Sequence, residues 1–512
     1  MKLIFRFSKW LHKYIGLLLI VFLIWMSISG ILLNHPRWIA SCSLPVSLIP
    51  TPYHIHNWSQ GSLRDAVFDE AEGRIYFAGI RGIWKSDDQG RSFHPFTNGL
   101  SPDLFYQKTS DLHLDRASGV LLAATDGGLF MKPRFAESWQ KIALNEADHA
   151  KVVRIQPIPD GFLVATNSQF FQSQQPEGPY EECVLSRPES GVGMIKLFFD
   201  LHDGKIWGLI GRLFFDLMAL LIIFLSVSAF FIWFFPKLRK KWAAHLKKKL
   251  RKIYRFCFVY HLKWGFWFAI PILIIGVTGL FMRPPMLILL ANRSLPRAFY
   301  PGPLPSNPWH HKIQNILYLE DAKQLLVEAD GLWMGSLEKS EPFRQLDWDA
   351  PVFVMGTTVL EQTSADSFLM GSFSGLFDYT PETGQITDCM TALPAENISK
   401  MRIRGLRITG YFKTPDGEAF ASTHRKGLLA VGQGETAVNR YPVPKLLGEQ
   451  GRVPLWDFLF ELHNGRIFSK WLGIWSKLVV PLGALLFVIL SFTGIYDWCM
   501  LKIIKPRKRK AT

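Results

Sequence analysis

Cysteine is scarce in this chain. There are five in 512 residues (Cys42, Cys183, Cys257, Cys389 and Cys499), and no two form a C-x-x-C pair. That excludes a zinc ribbon and a thioredoxin-like redox site. Cys42 and Cys183 stand at opposite ends of one long region, and in an oxidising compartment they would bridge only if the fold brought them together. H-E-x-x-H, G-x-S-x-G and the P-loop are also missing, so the metalloprotease, serine hydrolase and NTPase classes have no signature here. Acidic residues are few against basic ones, 42 against 58, for a net charge of +16. In a soluble protein such an excess would suggest nucleic acid. Here the cations sit beside apolar runs, which points to a membrane surface and away from a nucleic-acid partner.

What the chain has is hydrophobic length. It is 48% hydrophobic and carries 18 Trp, a residue that collects at the membrane boundary. Four stretches read as spans: Tyr14–Leu33, Leu209–Phe235, Trp264–Met282 and Leu478–Trp498. Each supplies the roughly 20 residues that a hydrocarbon core of about 30 Å demands. Lys2, Arg6, Lys9 and Lys13 precede the first, PKLRKKWAAHLKKKLRKIYR joins the second to the third, and KIIKPRKRK ends the chain. All three basic clusters fall on one side, which the positive-inside rule makes cytoplasmic. Asn34, His35, Pro36 and Arg37 follow the first span where a cleavage site would need small residues, so it reads as a retained anchor. The expected plan is a first transmembrane helix (1–34), a periplasmic β lobe (35–200), a second helix (201–236) and a basic cytoplasmic loop (237–262). A third helix (263–283), a second β lobe (284–458), a fourth helix (459–499) and a basic tail (500–512) follow. The location expected is the cell inner membrane, with both termini cytoplasmic and the lipid bilayer as a partner.

The chain also repeats itself. FRFSKWLHKYIG resembles YRFCFVYHLKWG, and Arg6/Arg255, His12/His261, Gly16/Gly265 and Gly30/Gly279 all stand 249 apart. FFDLHDGKIWG and LFELHNGRIFS match before the second and fourth spans, pairing His202 with His463. The protein is two copies of one unit, helix–lobe–helix, and parallel repeats of this kind pack about an axis along the membrane normal.

The lobes show short β-type runs broken by Gly, Asp, Pro and Ser. Phrases such as GIRGIWKSDDQGRSFHPF, ATDGGLFMKPRFAESWQKI and GSFSGLFDYTPETGQITDC recur at the length of a propeller blade. Three fall in each lobe. The run from Ser86 to Phe93 (SDDQGRSF) resembles an Asp-box, a folding hairpin without catalytic role. The fold class expected is therefore membrane α+β: a four-helix transmembrane bundle from a tandem duplication with outer β-rich lobes. Two half-propellers closing one six-bladed β-propeller, which would leave no open sheet edge, is the favoured arrangement of the lobes, and two separate β-domains the other.

Four histidines sit at the ends of the spans. His12, Gly16 and Gly30 share one helical stripe, His12 and Gly16 being about 40° apart around the axis, and the stripe recurs as His261, Gly265 and Gly279. A His above a Gly can offer an imidazole to haem iron with space for the ring; it can equally mark close helix packing, with the His in the headgroup zone. His202 and His463 are each followed by Gly and then a cation, Lys205 or Arg466, suited to a propionate. His54/His56 and His310/His311 lie where the lobes begin; a metal is one reading of them, a solvated loop the better one.

SKWLHKYIGLLLIVFLIWMSISGILL, LHDGKIWGLIGRLFFDLMALL, LHNGRIFSKWLG and FVILSFTGIYDW, the last with Thr493, Gly494 and Trp498, resemble the PepSY-associated transmembrane family. The resemblance covers the four spans. It implies a link to iron uptake, and in some members a ferric-siderophore reductase with two b-type haems on helix histidines. It makes His12, His261, His202 and His463 the expected haem-iron ligands, so the cofactor expected is haem b, two per chain. Relatives carry PepSY domains outside the membrane where this chain has blade-like repeats, which leaves substrate and reductase activity open. The function expected is an electron-transfer protein that reduces ferric chelates or siderophores in the periplasm. The cytoplasmic loop is too short for a nicotinamide or flavin domain, so quinol or another partner would be the donor. The alternative is a non-enzymatic, membrane-anchored β-propeller receptor or scaffold.

Overall fold

The computed structural model describes residues 2–504 apart from 145–150, 190, 239–243, 292, 339–340, 347–351, 353–355, 366, 381–382 and 396–405. Part of the basic loop and most of the basic tail lie outside the described residues. The chain divides into a helical unit (Met1–Ile39, Gly191–Leu304, Trp456–Thr512) and a β unit (Ala40–Ser190, Pro305–Leu455).

In the helical unit, α1 (Lys2–Asn34) is unbroken for 33 residues, about 50 Å at 1.5 Å per residue. Its charges lie in its first half, and no proline interrupts it. The helix α2 (Met194–Asp203) is short and ends at Gly204, whose φ of +79° turns the chain as only glycine does without strain. Next come α3 (Gly208–Leu238), α4 (Ala244–Trp267) and α5 (Ala269–Phe281). The second copy of the short helix, α6 (Leu455–His463), is again followed by a left-handed glycine, Gly465, before α7 (Ser476–Cys499).

Three stretches are long and apolar enough to cross a membrane: Leu3–Asn34, Lys205–Lys237 and Arg466–Ile504. The third span, expected as one helix over 263–283, is a pair bent by 68° between Trp267 and Ala269. Pro271 accounts for the break, because its ring clashes with the carbonyl of Trp267 and it has no N–H to bond there. The repeat-related position in α1 is Phe22, so α1 runs through. The second and fourth spans, expected over 201–236 and 459–499, each begin as a separate short helix carrying the histidine. Leu19, Leu23, Met218, Leu221, Ile222, Ile272 and Phe487 are buried together in one apolar cluster. α1 lies against α3 and α7, and the bent pair lies against the same two helices. Many apolar side chains elsewhere on these helices are exposed, Leu18 and Val21 among them, which is what a lipid-facing surface requires.

Among the described residues the β unit holds six antiparallel sheets of three to five strands, three from each lobe and each with its strands in chain order, and a two-stranded pairing of Ser43–Pro45 with Arg452–Pro454. Their first strands are Asp65–Asp69, Thr109–Asp115, Val152–Ile158, Asn315–Leu319, Val359–Ser364 and Ile408–Lys413. Each first strand lies against that of the next sheet, and the sixth lies against the first. Side chains tie neighbours together: Leu112 N–H donates to Asp65 Oδ2 (2.7 Å) and Ile155 N–H to Asp111 Oδ2 (2.6 Å). Burial and the Asp111 charge push the Asp65 carboxyl well up, while the Arg154 guanidinium, 3.4 Å from Asp111, opposes that rise.

The lobes close on each other. Trp58, at the start of the first, donates from Nε1 to Tyr441 O at the end of the second (3.0 Å). Trp309, at the start of the second, donates to Leu185 O at the end of the first (2.6 Å). Arg187 has a fully buried side chain, lies over the rings of Trp309 and Trp333 at 4.4 Å from each centroid, and pairs with Asp330. All five cysteines are free, so Cys42 and Cys183 do not bridge.

The Ser86–Phe93 run forms a bonded turn. Gly90 N–H donates to Ser86 Oγ (2.8 Å), Ser92 N–H to Asp88 Oδ1 (2.9 Å), and Phe93 packs beneath against Phe77 and Trp58. Hydrogen bonds from Ser92 and Ser86 hold the Asp88 carboxyl down at about 2.

Two outcomes are expected. Arg187→Ala leaves Asp330 with Lys312 as its cation partner (2.8 Å) and opens the space between two tryptophans; a cost of about 1–3 kcal/mol should appear in a urea titration followed by Trp fluorescence. Because Asp88 titrates lower folded than unfolded, its support for the turn is complete above about pH 4 and lost as pH falls through its folded value. Asp88→Ala should raise hydrogen exchange at the Ser92 amide at pH 6 and leave it unchanged in the β strands.

Candidate functional site: a histidine quartet between the two copies

The four histidines lie on four different helices: His12 on α1, His202 on α2, His261 on α4 and His463 on α6. In all four, Nδ1 meets a hydroxyl from the other copy of the repeat. His12 Nδ1 lies 3.2 Å from Thr493 Oγ1 and 3.1 Å from Leu490 O. His261 Nδ1 lies 2.8 Å from Ser228 Oγ. His202 Nδ1 is 2.9 Å from Thr278 Oγ1, and His463 Nδ1 is 2.8 Å from Ser29 Oγ.

The hydroxyls decide the tautomer. Each has spent its proton on a carbonyl of its own helix: Ser29 on Trp25 O (2.7 Å), Thr278 on Ile274 O (2.6 Å), Ser228 on Leu225 O (3.0 Å) and Thr493 on Leu490 O (2.8 Å). A hydroxyl so used can only accept from the imidazole. Nδ1 therefore carries the hydrogen and donates, and Nε2 keeps its lone pair. Among the described residues no hydrogen bond engages Nε2 of any of the four.

The pairing expected from the repeat holds for His12 and His261, whose ring centroids are 6.4 Å apart with planes at 85°. Imidazole nitrogens bond metal ions at about 2 Å, which puts two ring centroids that share one ion roughly 6 Å apart. The first pair thus fits a bis-imidazole iron in spacing, and all four fit in tautomer.

The glycines work differently from the expectation. Gly30 faces Cε1 of His463, where an added Cβ would stand 3.6 Å away, and Gly279 faces Cε1 of His202 at 3.2 Å. The glycine of one copy thus makes room for the histidine of the other, whereas Gly16 and Gly265 meet Leu490 and Leu225. His12 rests on Gly494, at 3.0 Å from an added Cβ. Lys205 pairs with Asp203 and Arg466 with Glu461, so both cations already have carboxylate partners.

Sequence reading passed over the four hydroxyls, though the signal was present. Ser29 and Thr278 keep the offset of 249, and LSVSAFFIW aligns with LSFTGIYDW to pair Ser228 with Thr493. Among the described residues, the other histidines do not join the quartet. His35 Nε2 lies 2.6 Å from Asp216 Oδ2 and stacks on Trp38. His54 Nε2 bonds Ile49 O, and His311 Nδ1 meets Asn167 Nδ2. Among the described residues no three His, Cys, Asp or Glu side chains converge as a metal site.

Apolar helices of spanning length joined to many antiparallel sheets define a membrane protein with β-rich lobes. The sequence matches the PepSY-associated TM region over residues 9–500, and the chain belongs to that family. No curated relative matches. Among solved structures, the chain is similar to an extracellular domain described as part of a hybrid two component system of B. thetaiotaomicron. Identity there is 14% and the TM-score 0.36, over 74% of this chain and 33% of that one. It is also similar to YCF48 bound to a D1 peptide, at 11% identity and TM-score 0.31, over 75% of this chain and 98% of that one. The chain thus spans about a third of the length of the first of these.

Because alanine is the better helix former by about 0.5–1 kcal/mol, Gly30→Ala and Gly16→Ala should leave the thermal midpoint unchanged or raise it slightly. Gly279→Ala and Gly494→Ala press on His202 and His12 and should lower it. The measurement is a melting series on the full chain in one detergent.

Proposed function

We propose that this chain is a haem-bearing electron-transfer protein of the cell inner membrane, with His12 and His261 holding one haem b and His202 and His463 a second. The observation that carries the reading is the shared tautomer: four imidazoles donate from Nδ1 to a hydroxyl and present a bare Nε2. Ligating histidines are held in this way, since the second-nitrogen bond fixes the ring and raises its basicity. Haem, when bound, supplies one-electron chemistry at iron. The protein's own part is to orient the rings and keep water away, and the packed Leu19, Leu23, Met218, Leu221 and Ile222 serve the latter.

In this reading α4 and α5 together make the third of four spans, and the four spans form one bundle. The basic segments face the cytoplasm and the β unit the periplasm, in keeping with the positive-inside rule. The six sheets are six blades of one propeller, two half-propellers joined through the reciprocal Trp58 and Trp309 contacts. Electrons come from quinol or another membrane donor. The acceptor is a ferric chelate or siderophore, a role that family membership suggests.

The test is spectroscopic. Protein purified from haem-replete cells should show a Soret band that shifts and sharpens with dithionite. His12→Ala with His261→Ala should remove about half of the haem, and His202→Ala with His463→Ala the other half, as two independent sites require. Thr493→Val with Ser228→Ala should weaken haem retention about 10–100-fold, the usual scale for loss of a ligand's supporting bond. Colourless protein would sink the redox reading and leave an anchored β-rich binding body.

A further inference from the structure

The β unit contains a cleft of about 720 Å³ between its first two sheets. That volume suits a small molecule. Five cations line it: Arg74, Lys85, Arg116, Lys132 and Arg134. Four of them share three carboxylates. Arg74 pairs with Glu72 and Asp87, Lys85 with Asp87 (2.7 Å), Arg116 with Glu70 (3.6 Å) and Arg134 with Glu72 (2.9 Å). Lys132 has no carboxylate partner among the described residues; its ammonium donates to the carbonyl of Ala136 and stands 5.2 Å from the centre of the Phe96 ring. Lys85 approaches the same ring at 5.6 Å. Desolvation, with Lys85 and Arg74 close by, lowers the Lys132 pKa. The carboxylates of Asp69 and Glu137 also line the cleft, and neither pairs with Lys132. At the lip, Phe135 is 90% exposed, with the Arg134 guanidinium over its ring at 5.7 Å from the centre.

We propose that this cleft binds a small organic anion that carries a flat ring, its carboxylate or phosphate on Lys132 and its ring on Phe135. The ammonium of Lys132 has N–H groups left over after Ala136, and a carboxylate takes them as charge-assisted bonds. The flanking ion pairs hold Lys85 and Arg74 in place, so the site is ordered before the ligand arrives.

The probe is 4-fluorobenzoate, observed by its fluorine line width against the full chain in detergent. Saturable broadening is expected in the unaltered protein. Lys132→Gln should weaken binding about tenfold, the scale of one charged hydrogen bond, and Lys132→Arg should keep most of it. Phe135→Ala should weaken binding with the charge intact, while Lys445→Gln, away from the cleft, should change nothing. Inorganic phosphate should compete if the anion group carries the affinity. Equal binding by Lys132→Gln and the unaltered chain, each with an unchanged circular dichroism spectrum, would overturn the proposal, as would a wild-type line that broadens without saturating.

Discussion

A polar side chain inside a bilayer must find its partner within the protein, because lipid offers none. The four imidazole–hydroxyl bonds are this chain's answer, and each joins one copy of the duplicated unit to the other. The two copies are therefore held together by the same contacts that set the imidazole tautomers. Assembly and site are one arrangement: a bundle that came apart would leave four rings without donors' partners, and a bundle that closes leaves four Nε2 atoms free. The glycines belong to the same constraint, since a ring from one copy can reach the neighbouring helix only where a side chain is missing.

The copies have diverged where function tolerates it. Pro271 bends the second copy's helix between α4 and α5 where α1 has Phe22, and that phenyl ring instead packs against Gly483 of α7, where any Cβ would collide with it. The second copy carries four extra residues between His463 and its last helix, accommodated by the short helical turn Ser469–Leu472. Neither change disturbs the bonded hydroxyls, which keep their relation to the histidines in both copies. Divergence has fallen on backbone shape, and the polar contacts have stayed symmetric.

The β unit obeys a related rule in a different solvent. Each lobe ends on a tryptophan of the other, and Arg187 is wedged between two indoles with its charge paired. A lobe alone would leave that tryptophan exposed and its bonding partner bare. Six sheets whose first strands meet in succession bury their shared edges together, and the carboxylates of Asp65 and Asp111 bond amides of the next sheet.

The sequence by itself determined the apolar stretches of spanning length, the duplication and the family, because these rest on run length and periodic identity, which are local and countable. Three β repeats in each lobe and the meeting of His12 with His261 were legible for the same reason. The bend between α4 and α5 was readable in principle from Pro271, but an apolar run hides a bend that changes no hydropathy. Only the tertiary structure decided that Gly30 and Gly279 serve the histidines of the opposite copy. It alone showed that Ser29, Ser228, Thr278 and Thr493 set the tautomers, and that Cys42 and Cys183 stay apart. Those contacts join residues up to 481 positions distant. Spacing along a chain fixes which face of a helix a side chain occupies, but the partner it meets depends on how separate helices pack.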